Sequence, residues 1–193
     1  MDVTHATGRS LTEKEPTMTW KSFHNRGEIL RSVIATAGIR RDGLLPMDVS
    51  GVAETFGDEL TLLAALQLKW HTRLSGHIER ELVTQPMDLD RAVIAAWGHA
   101  ADELPGVRRI LDHYRAEPTD AAMAMAMAKA TAKEHLLLAV MAGKSSVADP
   151  KAVPIGAAIE DRARLAHQHP VTVPTSHSAQ PSLLERLKAV VAA

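Results

Sequence analysis

His77 and Glu81 stand four residues apart, and so do His99 and Glu103, with Asp102 beside the second pair. A spacing of four puts each pair on one helical face, and imidazole with carboxylate is a donor set for first-row transition metals. On neighbouring antiparallel helices His77, Glu81, His99 and Glu103 could converge on one ion, as such groups do inside helical bundles. The chain has no Glu-x-x-His repeat of the kind di-iron bundles use, and Arg73 and Arg80 flank His77 on its own face. Cations beside a ligand oppose metal binding. A solvated polar face is therefore the expectation, with a bundle metal site or metalloenzyme as the alternative.

Glu134 follows Met123, Met127 and Thr131 down one side of an Ala/Met-rich stretch, which brings a carboxylate toward the core. A buried acid of raised pKa could act as a general base. A structural ion pair with Lys133 or with an arginine of the first helix is the reading adopted. Gly143, Lys144 and Ser145 end like a phosphate-binding loop, but Leu138 stands where that loop needs glycine, and a helix instead of a strand precedes it. No G-x-G-x-x-G, G-x-S-x-G or H-E-x-x-H occurs. Neither a catalytic residue nor a cofactor is predicted.

The elements that would position these groups are helices. Aromatics are 3% of the 193 residues and alanine is abundant, which favours closely packed helices over a sheet and makes the fold class all-α, a single Ala-rich bundle. Residues 1–17 are polar and predicted disordered, and Met18 offers a second translation start. Thr19 caps a helix to about Ala37 with Trp20, Phe23, Ile29, Leu30, Val33, Ile34 and Ala37 on its apolar face, and Gly38 to Gly43 stop it. A short helix ends at Phe56. Asp58 caps the longest element, to about Val83, and Asp88 caps the next. Pro105 opens a further short helix carrying Val107, Ile110, Leu111 and Tyr114. Asp120 caps the Ala/Met helix, whose Ala121, Ala124, Ala128, Thr131 and Ala132 form a small-residue face suited to close helix approach. The bundle domain is read as 18–144 and residues 145–181 as a linker holding one charged helix at 155–168. An amphipathic docking helix is read at 182–193.

Charge and composition narrow the function classes. Lys plus Arg (22) nearly cancel Asp plus Glu (23), so no long-range field gathers phosphates, and nucleic acid is not implied. There is no cysteine, hence no disulfide framework or thiolate site. No apolar run resembles a signal peptide, and Lys129, Lys133, Glu134 and His135 interrupt the best membrane candidate. A cytoplasmic location without membrane partners is expected.

Within Asp48 to Leu66, Ala53, Phe56, Gly57, Leu63 and Leu66 stand where a helix-turn-helix places its small, apolar and turn residues. With the helices around it, the region from Arg26 to Tyr114 resembles the TetR-type regulator layout, and that resemblance implies a degenerate helix-turn-helix regulator as an alternative. The would-be reading helix presents Glu59, Leu60, Thr61, Ala64 and Ala65, with no Arg, Lys or Asn for a base or phosphate. No DNA-binding residue is assigned.

At the far end, Ser182 caps a segment whose Leu183, Leu184, Leu187, Val190 and Val191 share one face, opposite Glu185, Arg186 and Lys188. Twelve residues are too few for lasting helicity alone, so the face must dock. Burying five such side chains contributes about 7 to 15 kcal/mol before ordering costs. The tether at 170–181 spans up to about 40 Å, enough to reach either this chain's own bundle or another protein. The arrangement resembles the terminal helices that route cargo into bacterial protein compartments. The sequence thus predicts a non-catalytic interaction or regulatory module whose partner is another protein, its own bundle or a second copy of the chain in a homo-oligomer.

Overall fold

The computed structural model describes residues 20–169, with side chains from residue 25 onward. Among the described residues the fold is all-helical, without strands, and comprises seven helices. In chain order they are α1 (Trp20–Arg40), α2 (Val52–Phe56), α3 (Glu59–Thr84), α4 (Leu89–Glu103), α5 (Pro105–Ala116), α6 (Ala121–Met141) and α7 (Ala152–Gln168). None of the described helices is long and apolar enough to cross a membrane.

Three helices begin at aspartates. Asp58, Asp88 and Asp120 each accept the backbone N–H three residues on, from Thr61, Arg91 and Met123. Each thereby satisfies one of the donors a first helical turn leaves free. α5 starts at Pro105, whose missing N–H costs nothing in a first turn. α1 runs through Gly38 and stops at Arg40, and Arg41 then takes a positive φ of 50°. The turn is held by Arg109, which donates to the Arg41 carbonyl at 2.6 Å, and by a two-pronged Arg40–Asp48 pair.

The antiparallel pairs α3/α4 and α6/α7 make the most extensive contacts, α7 also lies on α4, and α1 lies on α5. The shared core holds Val33, Leu66, Trp70, Trp97, Leu111 and Leu138, with the two indoles edge-on at 5.8 Å. α7 belongs to the same core, since Ile159 and Ala163 are buried in it. The helix expected at 155–168 thus begins three residues earlier and is packed along its length.

Close approach does not use the alanine face expected for it. Ala121 and Ala128 are exposed, while Ala124, Thr131 and Ala132 border a hollow of about 370 Å³ with Pro118 and Val153. α6 instead turns its larger Met123, Met127 and Leu138 inward, because they bury more apolar area than a methyl does. The tight crossings occur at Gly156, where a Cβ would lie 1.8 Å from the His135 carbonyl oxygen, and at Gly106, where it would lie 2.2 Å from Ala37.

Candidate functional site

The antiparallel register of α3 and α4 does bring the four candidate ligands together, as two crossed pairs. His77 Nε2 lies 2.9 Å from Glu103, and His99 Nδ1 lies 3.2 Å from Glu81. Arg80 donates to His77 Nδ1 at 2.8 Å, so that nitrogen is the acceptor and Nε2 carries the proton given to Glu103. No lone pair of His77 is left for a metal. Arg73 holds the other Glu103 oxygen at 3.1 Å, and Gln85 donates to Glu81. Among the described residues no group of three or more His, Asp or Glu is placed to hold a metal ion.

A second constellation, which the sequence reading did not assemble, is buried between α5, α6 and α7. Arg108, Asp112 and Arg115 share one face of α5 at spacings of four and three, and Glu160 and Arg164 share one face of α7. Between them α6 supplies Glu134 and His135, both buried. Glu160 accepts from Arg115 at 3.1 Å, from Arg164 at 2.6 Å and from His135 Nε2 at 2.6 Å. Arg164 also pairs with Asp112, which Arg108 holds at 2.8 Å. Glu134 lies 3.4 Å from Arg108 and 3.9 Å from Arg115. Its partners are therefore arginines of α5. Lys133 points to solvent, and α1 lies on a different side of α5.

Three guanidiniums thus face three carboxylates across three helices. Burial would raise the Glu160 carboxyl pKa, but the His135 hydrogen bond and the charges of Arg115, Arg164 and Arg108 outweigh it and hold it well below the carboxylate range. Asp112 is lowered too, burial again being overcome by its bond to Arg164 and the charge of Arg108. Arg164 is pushed up, its burial outweighed by Asp112 and Glu160. Two of the arginines also serve the core: Arg108 lies over the Trp70 ring at 4.7 Å and Arg164 over Trp97 at 5.0 Å. Glu134 is at 0% exposure with its carboxylate turned to the α5 arginines, and the network ties α5, α6 and α7 together.

Protein-family models, curated proteins and solved structures give no match to this chain. Two other places bear on the functional reading. α2 is a single turn, too short to support a reading helix as the first arm of a helix-turn-helix does, and Leu60 and Ala64 of α3 line an open groove against α6. Leu183, Leu184, Leu187, Val190 and Val191 lie outside the described residues.

Proposed function

We propose that the chain is a non-catalytic, cytoplasmic interaction module, in which the segment 182–193 is an amphipathic helix that docks on another protein. The observation that carries this reading is the completeness of the central core: α7 closes it, and Leu62, Leu66, Trp70, Leu74, Ile78 and Leu138 are all at 0% exposure. The five aliphatic side chains Leu183, Leu184, Leu187, Val190 and Val191 have no gap inside that core to fill, and the open groove between α3 and α6 is bordered by Lys129 and Lys133, which repel Arg186 and Lys188. A face of that size is costly to leave in water, so it finds a groove elsewhere. The cytoplasmic placement follows the cysteine-free composition.

Ending the chain after His169 tests the proposal. The expected result is an unchanged melting temperature together with loss of the partner that the full chain captures. Docking onto its own bundle would make several kcal/mol of burial disappear with the tail. A fall of more than about 4 °C, the shift that about 1 kcal/mol causes in a domain of this size, would therefore count against the proposal.

A further inference from the structure

Between the first three turns of α3 and the middle of α6 runs an open groove of about 450 Å³. Leu60, Leu63 and Leu68 form one wall, Met127 and Ala130 the other. Leu68 is 67% exposed in the wall of the groove, and Leu60 beside it is only partly buried. Large apolar side chains left in water along one groove mark a surface made to be covered.

The polar lining has one sign. Among the described residues Gln67, His71, Lys129 and Lys133 border the groove, and no carboxylate does. Neither lysine takes part in an ion pair among the described residues. They stand four apart on α6, where like charges repel and a Glu–Lys pair would support the helix. We infer that this groove receives an amphipathic α-helix of a partner protein, one that carries carboxylates along the edge of its apolar stripe.

Dimensions favour a helix as occupant. From Leu60 to His71 the α3 wall is about 17 Å long, and from Ala126 to Lys133 the α6 wall is about 11 Å, which is two to three helical turns. A groove this open leaves a small molecule largely wet, whereas a helix laid along it touches both walls through side chains spaced three and four apart. Charge argues against this chain's own residues 182–193 as the occupant, because Arg186 and Lys188 outnumber Glu185 there.

The test uses the full chain, isotope-labelled, and two sixteen-residue helical peptides with an identical leucine stripe, one flanked by glutamates and one by lysines. The glutamate peptide should bind about tenfold more tightly at low salt, with amide shifts gathered at Leu68, Ala126 and Ala130. The double variant Lys129→Glu/Lys133→Glu should invert that preference by a similar factor. Both lysines are exposed, and an unchanged melting temperature verifies that the variant folds. Equal affinity for the two peptides, shifts away from the groove, or no binding at millimolar peptide would overturn the inference. So would a chain ending at His169 that binds the glutamate peptide more than tenfold better than the full chain, since the tail would then be the occupant.

Discussion

Replacing Glu160 by glutamine removes one charge from the buried network without changing the size of the side chain. In the folded protein both Glu160 oxygens accept from Arg115, at 3.1 and 3.2 Å, one accepts twice from Arg164, at 3.1 and 2.6 Å, and the other accepts from His135 at 2.6 Å. A glutamine would turn one of these acceptors into a donor and leave three guanidiniums facing two carboxylates. Breaking one partner out of a buried ion pair costs about 3 to 5 kcal/mol. Arg115 and Arg164 keep 27% and 29% of their side-chain surface in water, so the lower end, about 3 kcal/mol, is expected. With a urea dependence of about 2 kcal/mol per molar, the midpoint at pH 7 should fall by about 1.5 M. The acid limb supplies the second readout. A carboxyl held below its ordinary value of 4.5 contributes stability that is complete above that value and is lost as pH falls toward the folded pKa. The gap between parent and variant should therefore be widest above pH 5 and narrow steadily below pH 4.5. Asp112, lowered in the same way, leaves the variant some acid sensitivity of its own. A loss under about 1 kcal/mol at pH 7, or a gap that stays constant down to pH 3, would refute the account.

Gly156→Ala forces a methyl to within 1.8 Å of the His135 carbonyl oxygen, so α6 and α7 must part, and a loss of about 3 kcal/mol in urea unfolding is expected. Gly76→Ala is its control: nothing lies within 4 Å of the added methyl, and the helix preference for alanine should raise stability by up to about 1 kcal/mol. If both variants moved together, the close crossing would not be what fixes glycine at Gly156. Excess zinc should leave the melting temperature unchanged, because both ring nitrogens of His77 are engaged by Arg80 and Glu103. A zinc-dependent rise that His77→Ala abolishes would restore the metal reading of His77, Glu81, His99 and Glu103.

What the sequence made readable is what is local. Asp58, Asp88 and Asp120 act on an N–H three residues away, so their capping depends on little beyond their own turn, and all three are found in place. The crossed pairing of His77 with Glu103 and Glu81 with His99 needs only two four-residue spacings and an antiparallel register. The buried network needs much more. Glu134 meets Arg108 across 26 residues, and Glu160 meets Arg115 across 45, so nothing within one helix announces either contact. A local trace did exist in the placing of Arg108 and Arg115 among Val107, Ile110, Leu111 and Tyr114, where a purely solvated arginine would not stand. The charged helix at 155–168 is expected inside a linker, yet its Glu160 and Arg164 are the polar seam by which it locks onto α5 and α6.

Alanine accounts for the remaining ambiguity on α6. A methyl is apolar enough to be buried and small enough to stay wet at little cost, so an alanine repeat states that a helix forms without stating which side faces inward. Met123, Met127 and Leu138 decide the orientation, and the alanines are then left on both flanks. On one flank Ala126 and Ala130 fail to fill the space beside α3, and on the other Ala124, Ala128 and Ala132 leave the hollow beside Pro118 and Val153. Side chains as long as leucine at those positions would occupy both spaces with the bundle's own atoms. The same composition that lets α6 form a stable helix therefore opens the groove whose only charged side chains of fixed sign among the described residues are Lys129 and Lys133, and a partner's helix can supply the apolar side chains that α6 does not.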